Sequence, residues 1–350
     1  AYRRQRQMCI RDRPLAEAAH TRNATVLVDP SLIDEVRAMA SGYRVAGKGP
    51  NTVVGTGQER AKEWLNLVEP LLSSGRAYRL PYGNADVVGA VRQGSPRLLP
   101  KVKHALDPSN PAAHLPLAII DPAAELDNSS FKTLAKELSP SVILTCAASV
   151  RKGVREDSGV KIIGLADTVR TGGHPQSNSD PQRRGILLSQ ALLMTRESIP
   201  AVTLVTTVDD VQATAPISWL HLQNLSTVLN GAKPGLHLPE SRAGDTILKD
   251  PWWQVQHDVG IDADGWSDLV GASPQTASLT SAKFVSRSLS SSLKDREAWA
   301  VDVMRPASEV IAGNGLVLHS ASQFVMSSSR NDFPLTITNS LAQTVRVKVV

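Results

Sequence analysis

The stretch LPLAIIDPAAELDNSSFKTLAKELSPSVILT, residues 115–145, holds one full strand–helix–strand phrase. Leu115 to Pro122 is an apolar run without strict alternation. That texture reads as a strand buried on both faces. Phe131, Leu134, Ala135 and Leu138 recur at the spacing of a helix with one apolar side. Pro140 ends the helical pattern, and Ser141 to Thr145 is a second buried strand. Two buried strands joined by one helix are parallel, because the crossover carries the chain back to the same end of the sheet.

The phrase repeats on both sides. Upstream, Ala24 to Pro30 (ATVLVDP) reads as a strand followed by the helix SLIDEVRAMA. Ala61, Trp64, Leu65, Val68 and Leu72 mark an amphipathic helix over Gly57 to Ser74, with Gly75 as its stop. Ala77 to Tyr82 is the next strand, and Ala85 to Gln93 the next helix. Downstream come a strand from Val160 to Asp167, a helix from Pro181 to Glu197, a strand from Ala201 to Thr207 and a helix from Pro216 to Asn230. About six such units predict an α/β domain built as a closed or nearly closed (β/α) barrel rather than a doubly wound sheet. No dinucleotide or phosphate loop competes with this reading. Gly55-Thr56-Gly57 lacks the third glycine, and no Ser or Thr follows Lys48 in Gly47-Lys48-Gly49. No cofactor is implied.

Residues 231–278 are poorly patterned and read as a long excursion. Helical pattern resumes over Ala282 to Leu293 and Ala298 to Met304. After Gly313 the period changes to two, and GLVLHSASQFVMSSS and FPLTITNSLAQTVRVKVV read as β-strands joined by turns. The expected organisation is a non-structural segment at 1–13, a barrel-like domain at 14–311, and the start of an Ig-like β-sandwich domain at 312–350. The last strand runs to Val350, so the sandwich is expected to be truncated.

Residues 3–13, RRQRQMCIRDR, carry five arginines against Asp12, a net +4 of the chain's +5. An Arg cluster can bind nucleic-acid phosphates or head a targeting peptide. This one resembles, end to end, the translation of a sequencing-library transposase adapter, and is set aside from fold reasoning. The remainder is then close to neutral, so the basic pI of 9.3 gives no reason to expect a nucleic-acid partner. Cys9 lies in the excluded segment, which leaves Cys146 unable to form an internal disulfide or a Cys-based metal site. No run of about 18 apolar residues is present, so a membrane contact would need an anchor outside this sequence.

In a barrel, functional groups cluster at the C-terminal ends of the strands. Those ends supply Asp29, Tyr82, Asn84, Asp86, Asp121, Glu125, Asp127 and Asp167. Converging carboxylates are what a glycoside hydrolase needs, one as acid and one as base or nucleophile. A plainer role competes. Asp29, Asp121 and Asp180 each precede a proline at a helix start, the pattern of an N-cap followed by a first-turn proline. Asp86 reads as a first-turn acid favoured by the helix dipole. Asp167 has no following proline, so it is the catalytic candidate least explained by capping, with Asp86 and Asp121 as partners. His174 shares its predicted rim and reads as a proton shuttle or a solvated loop residue. Trp252 and Trp253 read as a sugar-stacking platform or as anchors of a long loop. The eight His residues make no metal box.

VDPSLIDEVRAMASGYRV, RAYRLPYGNADVVGAV, LAIIDPAAELD and FVMSSSRNDFPLTITNSLAQTVRVKVV resemble an actinobacterial family catalogued as a domain of unknown function. Its members are secreted and membrane-anchored, and are often encoded beside an MviN-type lipid II flippase. The resemblance implies an extracytoplasmic barrel similar to glycoside hydrolases and polysaccharide deacetylases, followed by a β-sandwich. It carries over no catalytic residue. Two functions are therefore expected: a non-catalytic cell-envelope protein binding a cell-wall glycan or an envelope protein, or a carbohydrate-active enzyme using the rim carboxylates. The missing His pair counts against a metal-dependent deacetylase.

Overall fold

The computed structural model describes residues 13–22, 24–46, 52–146, 150, 153–165, 180–196, 199–200, 202–215, 218, 223–240, 274–290, 316–319, 335–340 and 345. Helix α1 (13–21) opens it. Then follow β1 (Val26–Val28), α2 (Pro30–Ala40), β2 (Arg44–Ala46), β3 (Thr52–Val54), α3 (Gln58–Leu72), β4 (Ala77–Arg79), α4 (Val87–Arg92) and α5 (Leu99–His104). The quoted phrase becomes β5 (Ala118–Asp121), α6 (Asn128–Leu138) and β6 (Val142–Thr145). After it come β7 (Arg155–Asp157), β8 (Val160–Gly164), α7 (Asp180–Arg196), α8 (Val208–Ala213), α9 (Leu225–Leu229), β9 (Lys233–Pro234), α10 (Pro274–Ser288), β10 (Leu316–His319) and β11 (Thr336–Asn339).

The central sheet is mostly parallel, with strand order β5-β6-β8-β7-β9. β1 pairs with β4, β4 reaches β5 through a parallel bridge between Arg79 and Leu117, and β5 pairs with β6 and β6 with β8. The two faces of the strands are unlike. Leu27, Tyr78, Ala118, Ile120, Val142, Leu144 and Ile163 gather in one apolar cluster. The alternate residues pack outward, Val28 and Ala77 with α2 and α3, and Ile119, Ile143 and Ile162 with α4, α5, α6 and α10. Helices α2 to α6 therefore cover one face, and the other face packs on Val202, Leu204 and the α9 residues Leu225 and Leu229.

Closure into a ring of strands is not found among the described residues. Residues 202–206, expected as a strand, form none. Their apolar side chains Val202 and Leu204 still pack against the strand face opposite α2 to α6, but Thr206 and Thr207 turn to bond Asp210 and begin α8 instead. Described residues further along the chain contact both edges of the sheet. The backbone N–H of Leu225 donates to Thr25 Oγ1 at 2.7 Å beside β1, and Arg22 donates to the Val211 carbonyl. At the far edge, the Lys233 N–H donates to the Val154 carbonyl at 3.1 Å.

Several expected elements change bounds. The strand from Ala77 stops at Arg79, because Pro81 and the positive φ of Gly83 (73°) force a turn at Tyr82–Asn84. The helix expected over 216–230 is described only as Leu225–Leu229, capped by Asn224. α10 begins at Pro274, inside the expected excursion, and stops at Ser288, with Ser290 bridging Ala85. Two hairpins, β2–β3 and β7–β8, were not expected. The second turns through Ser158 and Gly159 at φ 52° and 75°, the left-handed pair of a tight hairpin turn. β10 and β11 pair antiparallel, in keeping with the period-two pattern of the last residues. Arg13, assigned to the excluded segment, opens α1 and pairs with Glu17 and Glu63.

Candidate functional site

The C-terminal strand ends carry two groups of carboxylates. The first lies where β1 and β4 end. Asp29 follows β1 and caps α2, accepting from the Ser31 N–H at 2.9 Å and the Ser31 hydroxyl at 2.8 Å. The same carboxylate accepts from the Gly83 N–H at 2.8 Å. One turn along α2, Asp34 accepts from the Tyr82 hydroxyl at 3.0 Å, Asn110 Nδ2 at 2.7 Å and Lys283 Nζ at 2.6 Å. Lys283 also stands 5.4 Å above the Tyr82 ring centre. Glu35 pairs with Arg287. Ser286 Oγ donates to the Tyr82 carbonyl at 2.6 Å.

Tyr82 is thus buried at the meeting point of α2, the β4 turn and α10. Burial, together with the Asp34 carboxylate, pushes its phenol far above the ordinary range. Burial also pushes the Asp29 carboxyl up, against the bonds from Ser31 and Gly83. It pushes Glu35 up against the opposing charge of Arg287.

The second group lies around β5. Asp121 ends the strand and is fully enclosed, as is Thr145. Its carboxylate accepts from the Glu125 N–H at 3.1 Å, the Leu126 N–H at 3.0 Å and the Thr145 hydroxyl at 2.7 Å. It therefore organises a loop four and five residues ahead rather than capping a helix. The cap of α6 is Asp127, which forms a reciprocal box with Ser130 and an ion pair with Arg92. Burial pushes Asp127 up, but the bonds from Ser130 and Arg92 outweigh it and hold the carboxyl below the ordinary range. Asp86 caps α4 through the Gly89 N–H at 2.9 Å. Glu125 is exposed as a residue. Partial burial of its carboxyl, and then the carboxylates of Asp86 and Asp121, push it up despite Arg92.

No family model matches the chain, and no curated protein matches it.

Of the residues singled out in the sequence, the structure brings Asp29 and Tyr82 together at one corner, and Asp86, Asp121, Glu125 and Asp127 at the other. Asn84 lies in the turn between them at φ 50°. Asp167, His174, Trp252 and Trp253 lie outside the described residues. Cys146 is buried with the inner apolar cluster. Among the described residues no group of His, Cys, Asp and Glu is arranged to hold a metal ion, and no helix is long and apolar enough to cross a membrane.

The sequence reading missed Asp34, Glu35, Arg92, Asn110, Lys283 and Arg287. Lys283 and Arg287 stand four apart, which places them on one side of α10. That pairing was visible. What it would face was not, because Asp34 lies 249 residues away.

Proposed function

We propose that the chain is an extracytoplasmic cell-envelope protein whose barrel-like domain binds a cell-wall glycan or an envelope protein without catalysing a reaction. One observation carries the reading: of the described strand-end carboxylates, all but Glu125 are used in holding the fold. Asp29 and Asp121 each accept three hydrogen bonds from their own surroundings, Asp127 is boxed and paired, and Asp34 and Glu35 are neutralised by α10. A hydrolytic pair needs carboxyls about 5 to 9.5 Å apart and open to substrate; saturated, enclosed carboxylates serve poorly. On this proposal residues 202–234 complete the barrel wall, and an Ig-like sandwich follows from 312. Co-sedimentation with insoluble cell-wall glycan tests it. Retention of the protein without release of soluble sugar supports the reading, and failure to bind glycan or any envelope protein removes it.

Glu125 favours a second reading, a carbohydrate-active enzyme. Among the described residues its carboxylate accepts no hydrogen bond, and its surroundings favour the protonated form in the manner of a general acid. Asp86, whose charge raises the Glu125 carboxyl more than that of Asp121, is one candidate partner, with Asp167 the other residue to test.

A further inference from the structure

No further inference is drawn: the strongest candidate, the apolar outer side of α7 where Ile186, Leu192 and Leu193 stand exposed, is a helix face for which nothing in the structure shows what covers it.

Discussion

The backbone N–H of Gly83 donates to Asp29 Oδ1 at 2.8 Å, so one carboxylate ties together the ends of two neighbouring parallel strands. A capping residue ordinarily serves its own helix alone. Here the cap of α2 also fixes the turn after β4, and the turn in turn receives α10. Replacing Asp29 by Asn keeps an oxygen for both N–H groups and should cost little. Asp29→Ala removes the cap, at about 1 kcal/mol, and leaves the Gly83 donor without its partner, at about 1–3 kcal/mol more. Urea denaturation of the two variants should separate them clearly.

Asp121 should behave differently under the same two substitutions. Its Oδ1 accepts from Glu125, while Oδ2 accepts from both the Leu126 N–H and the Thr145 hydroxyl. An Asn amide placed at Oδ2 would set a donor against the Leu126 donor. Asp121→Asn should therefore cost on the order of 2 kcal/mol, close to Asp121→Ala. A mild Asn variant in denaturation experiments would show that the loop does not need a carboxylate.

Gly83→Ala tests the contact between the turn and α10. Gly83 sits at φ 73°, where a side chain costs about 1–2 kcal/mol, and its new Cβ would meet the Arg287 backbone. A substantial loss in melting temperature is expected. The same change at Gly75, also at φ 73° but with open space around it, should cost only the conformational part. Equal losses at the two positions would remove the clash from the account.

Asp127 sets part of the acid limit. Its carboxyl is held below the ordinary range by Ser130 and Arg92, against its burial. A depressed acid contributes stability above its unfolded value that is lost as pH falls through the folded one. Stability should thus decline below the ordinary carboxylate range, and Asp127→Asn should shallow that decline. Circular dichroism melts from pH 6 down to pH 3 check this.

The strand–helix phrase of residues 115–145 was legible because both periods were strong. Phe131, Leu134 and Leu138 are buried where the helical spacing put them, and Val142 to Thr145 is buried throughout. The capping of Asp29 was legible from Asp-Pro alone. The same dipeptide at Asp121 misled, because residues 122–126 form a loop that uses the carboxylate before α6 begins at Asn128. Residues 274–281, PQTASLTS, hide a helix, since Ser and Thr carry no apolar period. Nothing local shows that Lys283 will meet Asp34, and that meeting fixes α10 on α2.

The central claim is that the strand-end acids, Glu125 apart, hold the fold, and that none does chemistry. Release of new reducing ends from purified cell-wall glycan, measured for the wild-type chain beside Glu125→Gln and Asp167→Asn, tests it most directly. The account predicts no release above the buffer control by any of the three, with glycan binding retained. Release by the wild-type chain, abolished in a normally folded Glu125→Gln or Asp167→Asn variant, would contradict it.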